Sequence, residues 1–172
     1  GQDPGVGCRA YGARVLWLLG YPEQALARLR EALALAHELS HPFSLAYAWA
    51  LATWVLQFCR DVTVVREHAD AAIALATAQG FPFWATFGRC IVGRAQVHQG
   101  AGSASAALVQ RGLAELKAMG MANFHTVCLP WAAEVAGAVG QAEEGLRDLA
   151  TTLRLLEQTD QRYAEAELYC IK

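Results

Sequence analysis

The sequence predicts an all-α protein, a stack of antiparallel helical hairpins built on a forty-residue repeat. Three observations predict it. Glycine recurs at Gly20, Gly80, Gly100, Gly120 and Gly140, always at multiples of twenty, and Arg60-Asp61 fills the empty slot. The segments between these breaks carry helical periodicity, and 34 of the 172 residues are alanine, the strongest helix former. Finally, Asn-Gly and Asp-Gly, the common hairpin signals of β-structure, are absent. Twenty residues hold one helix and a tight turn, so forty make a hairpin.

Nine helices are expected, over about 8–19, 22–39, 42–59, 62–79, 82–99, 103–119, 123–139, 142–158 and from 162 onward. Pro22, Pro42 and Pro82 suit first helical turns, where no N–H is needed from them. Val62-Thr63-Val64-Val65 has strand propensity, but Asp61 is a good N-cap and the register is helical. Pro130 is expected to kink or delay the seventh helix. The hairpins then occupy about 1–40, 41–80, 81–120 and 121–160 of a single domain spanning 1–172, with another begun at 162. That last helix has no partner. The chain therefore reads as an excised piece, or its uncapped C-terminal end pairs with a second copy to form a homodimer.

Small residues fall in register. Ala13, Thr53, Gly93 and Ala133 form one column on the first helices. Ala25, Val65, Ser105 and Gly145, and then Ala32, Ala72, Gly112 and Thr152, form two on the second helices. Such columns let helices approach closely. The small–apolar–small spacing of Ala25, Leu29 and Ala32 is that of tetratricopeptide (TPR) hairpins, here lengthened from the usual repeat. The fold expected is a TPR-like right-handed α-α superhelix, or solenoid.

Several longer strings resemble one family. They are Gly1-Gln2-Asp3-Pro4-Gly5-Val6 with Cys8-Arg9-Ala10-Tyr11, and Leu16 to Pro22 with Gln24-Ala25-Leu26. His41 to Ala46, Ala72 to Ala76, Gln79 to Pro82, Gly140-Gln141, Glu143 to Leu146 and Glu165 to Tyr169 complete them. Together they resemble the C-terminal tetratricopeptide-like region of large bacterial signalling proteins, in which a cyclase-like domain and an AAA-type ATPase domain precede the repeats. The resemblance implies a cytoplasmic, helical regulatory or protein-binding module. It brings no cyclase or ATPase chemistry, because those domains are not in this sequence.

Composition excludes other classes. Apolar residues make up 55% and charged ones 17%, which excludes disorder, and the net charge of −2 comes without a basic stripe, which argues against nucleic acid. No apolar run is long enough for a bilayer, and the first residues do not read as a signal peptide, so no membrane role is expected and the cytoplasm is the expected location. The five cysteines, Cys8, Cys59, Cys90, Cys128 and Cys170, are odd in number and widely spaced, so they read as buried thiols in a reducing compartment.

His37-Glu38-Leu39-Ser40-His41 spells the zinc-protease motif H-E-x-x-H. It reads here as a solvated helix end. His41 precedes Pro42, which pushes it out of helical geometry and separates it from His37. No Walker loop or nucleophile pattern is present, and Gly5-Val6-Gly7 follows no strand. No enzyme activity, metal or cofactor is predicted.

The expected function is binding. In a stack of such hairpins the first helices line a groove. One face of them carries Arg14 and Trp17, then Tyr47, Trp54 and Gln57, then Phe87 and Arg94, then Glu134. Aromatics and arginines dominate interface energetics, and arginine favours carboxylates. The expected partner is a protein, peptide or helix of apolar and acidic character, or sister domains of a larger signalling protein. The alternative is a sensor enclosing a small molecule. The same stripe also reads as core, with Arg14 and Arg94 the members hardest to bury.

Overall fold

A computed structural model describes residues 1–59, 61–97, 100, 102–159 and 165–171. Among them are nine α-helices and no strand. They are α1 (Pro4–Leu18), α2 (Pro22–Glu38), α3 (Pro42–Leu56), α4 (Val62–Ala78), α5 (Pro82–Val97), α6 (Gly102–Ala118), α7 (Ala122–Ala138), α8 (Ala142–Thr159) and α9 (Glu165–Ile171). Expectations at Arg60, His98, Asp160 and residues 161–164, and for the side chains of Asn123 and His125, lie outside the described residues.

The turns explain the twenty-residue spacing. Gly20, Ser40, Gly80, Gly100, Gly120 and Gly140 all have left-handed backbones. At Gly20 the N–H donates to the Trp17 carbonyl at 3.0 Å, and that of Tyr21 donates to the Leu16 carbonyl at 2.9 Å. Two orphan carbonyls of the helix end are satisfied by this pair of bonds. The second bond, reaching five residues back, recurs from Phe81 to Ala76, Met121 to Leu116 and Gln141 to Ala136. One non-helical residue then intervenes before the next helix.

Ser40 performs the same turn with a side chain, at φ 49°. Its Oγ donates to the His37 carbonyl at 3.2 Å, but a Cβ in this region is strained. Ser40→Gly is expected to raise stability by about 0.5 kcal/mol in chemical denaturation, the relief of strain exceeding the added freedom of the unfolded chain. An unchanged midpoint would show that the hydroxyl contact offsets the strain.

Helix starts obey local chemistry. α4 begins as expected, with the Asp61 carboxylate accepting from Thr63 N–H at 3.1 Å and Val64 N–H at 3.2 Å. α1 begins at Pro4, earlier than the expected start near residue 8, because the Asp3 carboxylate accepts from Val6 N–H at 3.1 Å and proline fits the first turn. α3 ends at Leu56 and passes into a 3-10 turn, Gln57–Cys59. α7 runs from 122 to 138 through Pro130 without ending there. Its neighbours Cys128, Leu129, Trp131 and Ala132 are all buried, and this packing outweighs a proline cost of about 3 kcal/mol.

The described chain divides into two compact units, Gly1–Ile91 and Val92–Lys172. In the first, α1 packs on α2 and on α3, α2 on α3, and α3 on α4. Its core joins Ala13, Leu29, Ala52 and Val55, with half-buried Trp17, Leu26, Leu33 and Leu56 against them. In the second, α7 packs on α6, α8 and α9, and α8 on α9. Ala133, Leu149, Leu156 and Leu168 form its core. Each large aliphatic side chain so buried contributes about 2 kcal/mol.

The small-residue columns are where backbones meet. A Cβ on Gly93 would stand 2.6 Å from Val109 Cγ2 and 3.2 Å from the Ser105 carbonyl oxygen. One on Gly145 would stand 2.8 Å from the Ala133 carbonyl oxygen. Within unit 2, therefore, the first-helix column rests directly on a second-helix column, as the register predicts.

The cysteines divide. Cys90 and Cys128 are buried, but Cys8, Cys59 and Cys170 are exposed, which corrects the reading of all five as buried thiols. Cys8 lies on an uncovered face of α1, Cys59 in the 3-10 turn and Cys170 near the end of α9.

Candidate functional site

The expected groove residues fall in two groups, one in each unit. In the first, the forty-residue spacing sets Arg14 of α1 beside Trp54 of α3, and the guanidinium lies 3.6 Å from the Trp54 ring centroid. That is a cation–π contact worth about 1 kcal/mol. Trp54 is buried and meets Phe87 edge-on at 6.0 Å. Tyr47 is buried too, edge-on to Trp84 at 5.2 Å and 6.3 Å from Tyr11. Phe87 is fully enclosed.

Trp17 and Gln57 are half-buried. Trp17 stacks on Phe58 at 6.0 Å, and the Gln57 amide donates to the Trp54 carbonyl at 2.9 Å. Tyr47, Trp54 and Phe87 are thus core, whereas Arg14, Trp17, Gln57 and Phe58 make a half-open rim at the C-terminal ends of α1 and α3.

In unit 2, Arg94 Nε donates to Glu134 Oε2 at 2.7 Å, with the two side chains only 12% and 22% exposed. The Arg94 guanidinium also lies 5.6 Å from the Trp131 ring centroid. Arg94, with Arg14, is the member expected to be hardest to bury. It is instead largely enclosed, because the residue forty positions on is its counter-ion on the neighbouring first helix.

Sequence reasoning missed the polar end of Tyr47. Its hydroxyl is buried beside the Tyr11 phenol. Burial, with the Tyr11 phenol adding to it, pushes the Tyr47 phenol far above its ordinary pKa, so it stays protonated. Trp84, which the sequence offered only as one aromatic among many, packs against Tyr47, Phe43 and Phe83. The signal was present: Phe43, Tyr47, Phe83 and Phe87 keep the same offsets in two consecutive repeats.

The histidines of the H-E-x-x-H string are separated. His37 sits in the last turn of α2 with its ring edge-on to Trp49 at 5.5 Å. Beyond the Ser40 turn, His41 is extended at φ −93° and ψ 109°, with Nδ1 2.8 Å from Ser44 Oγ. That hydroxyl also accepts from the Asp3 N–H at 2.8 Å. The two rings therefore serve different packing contacts. Among the described residues no three His, Cys, Asp or Glu side chains gather at metal-binding distance. No helix among them is long and apolar enough to cross a membrane.

One carboxylate stands under strain. Burial on α8, and then the Glu144 charge, raise the Asp148 pKa, against a lowering by Arg147. A raised acid favours the protonated form when folded. Its contribution is therefore greatest below the unfolded pKa and is lost as pH rises through the folded one. Asp148→Asn is expected to raise the thermal midpoint at pH 7 and to lose that advantage in acid. An equal gain at both pH values would assign the effect to packing.

No protein-family model matches the chain, and neither a curated protein nor a solved structure is significantly similar to it.

Proposed function

We propose that the chain is a non-catalytic helical-repeat interaction module, TPR-like in architecture. Its hairpins would stack as a solenoid that serves as a scaffold for a protein partner or for sister domains of a larger signalling protein. The observation that carries this reading is the coincidence of the forty-residue register with helix–helix contact. Arg14 meets Trp54 and Arg94 meets Glu134 across forty residues, and the close approach of Gly93 to Ser105 recurs forty residues on between Ala133 and Gly145. The residues that chemistry would need are spent on packing: His37, His41, Arg94 and Glu134 all face neighbours. The resemblance to the repeat region of bacterial cyclase and ATPase signalling proteins points the same way and would imply a cytoplasmic module.

Within this reading the half-open rim of unit 1 is the surface for a peptide or helix. Arg14 supplies positive charge, and Trp17 and Phe58 supply apolar area. Its test compares partner capture from the source cell by the native chain and by Arg14→Glu/Gln57→Ala, with Arg94→Ala as a control. The first variant should lose capture while its midpoint falls by no more than a few degrees. Arg94→Ala should instead lower stability by about 1–2 kcal/mol, because Glu134 is left half-buried without its cation. Capture unchanged by the rim variant would remove the rim from the proposal.

A sensor that holds a small molecule is the second reading, and the buried polar end of Tyr47 favours it. A ligand with a polar group opposite that oxygen would perturb tryptophan fluorescence through Trp84, and Tyr47→Phe would abolish the response.

A further inference from the structure

The outer face of α1 departs from its own register. Cys8, Tyr11, Gly12 and Val15 lie on one face, at helical spacing i, i+3, i+4 and i+7. Cys8 is exposed, Tyr11 is 44% exposed and Val15 is 52% exposed. Forty residues on, Ala48, Leu51, Ala52 and Val55 are all buried. Two further repeats on, Cys128, Trp131, Ala132 and Val135 are buried as well. The same positions are thus core wherever a hairpin lies in front of them.

What fills such a face is visible within unit 1. Ala52 and Val55 share a core cluster with Ala13 and Leu29 of the hairpin in front. In unit 2, α7 packs on α6 in the same way.

Gly12 keeps the middle of the face flat. Glycine in a helix interior costs about 1 kcal/mol relative to alanine. Gly88, Gly93 and Gly145 justify that cost, since a Cβ on each would come within 3.0 Å of a neighbouring helix. A Cβ on Gly12 would meet nothing within 4 Å. Its counterparts Ala52 and Ala132 are nearly as small, and both are buried. Arg14, at the edge of this face, is turned over Trp54, so the face itself carries no charge.

We infer that this face of α1 is an unfilled stacking joint, and that its occupant is a helical hairpin of the same forty-residue kind, seated end-on. The α5–α6 hairpin is the best template. It stands directly before α7 and its α6 packs on that helix, whose Cys128-Trp131-Ala132-Val135 residue types follow the Cys8-Tyr11-Gly12-Val15 order most closely. This inference goes beyond the rim reading, and it stands if the rim binds nothing.

The experiment places a second copy of residues 81–120 directly ahead of Gly1, which preserves the register. Alkylation by iodoacetamide is followed by mass spectrometry on the native and extended chains, with exposed Cys59 and Cys170 as internal controls. Cys8 should react about tenfold more slowly in the extended chain, while the controls are unchanged. Val15→Asp in that chain should restore its reactivity. Unslowed Cys8, or an extension that adds no helix by circular dichroism, overturns the inference. So does a native chain whose Cys8 becomes protected with rising concentration as sedimentation shows a dimer, because the occupant is then a second copy.

Discussion

Truncating Phe87 to alanine is expected to cost about 4 kcal/mol, the largest effect of any single change considered. Phe87 is fully buried, and its ring lies 6.0 Å from Trp54, 6.2 Å from Phe83 and 6.5 Å from Trp84. Removing it takes away a large apolar side chain and leaves three rings facing a void. Those rings belong to α3 and α5, so neither helix collapses inward without shifting the other. The thermal midpoint should fall by roughly 10 °C or more in calorimetry. A loss below about 1 kcal/mol would mean that the aromatic cluster is loose enough to close the gap, and would return Phe87 to the list of accessible groove residues.

Gly145→Val should cost about 3 kcal/mol, against the direction of helix propensity. Valine is a better helix former than glycine, so an isolated α8 would gain. The loss comes from α7. The new Cβ would stand 2.8 Å from the Ala133 carbonyl oxygen, which is backbone and has no rotamer to adopt. The two helices must separate, and the Leu149 and Leu156 contacts with Ala133 loosen with them. Gly12→Ala is the matched control. It sits in an equally regular helix with open space around it, and it should stabilise by about 0.5–1 kcal/mol. Urea denaturation of both variants checks the pair. Similar signs for the two would refute the account of Gly145 as a contact residue.

The sequence made the helices and turns legible because both rest on local chemistry. A left-handed residue every twenty positions needs glycine or a tolerant substitute, and the small columns need to be small. What it left obscure depended on which faces find neighbours. Arg14, Trp54, Arg94 and Glu134 were visible as a column, and a column on one helical face reads equally as groove or as core. The missing step was to treat forty residues as a distance. Positions one repeat apart lie on adjacent first helices and touch each other, so an arginine followed by a tryptophan or a glutamate is a contact pair. The early start of α1 was obscured for a different reason. Asp3 and Pro4 form a local cap that ignores the register, and the register was the guide in use. Pro130 does not delay α7, which begins at Ala122, because buried residues on either side of the proline hold the helix together.

The turns at Gly20, Gly80, Gly120 and Gly140 leave the chain almost no slack between helices. One inserted residue inside a helix would rotate everything beyond it by about 100° and carry each small column off its seat. Growth or loss by ones and twos is therefore closed to this architecture. An insertion that such a helix tolerates must restore the rotation it imposes, so that every small residue returns to the neighbour it was shaped for.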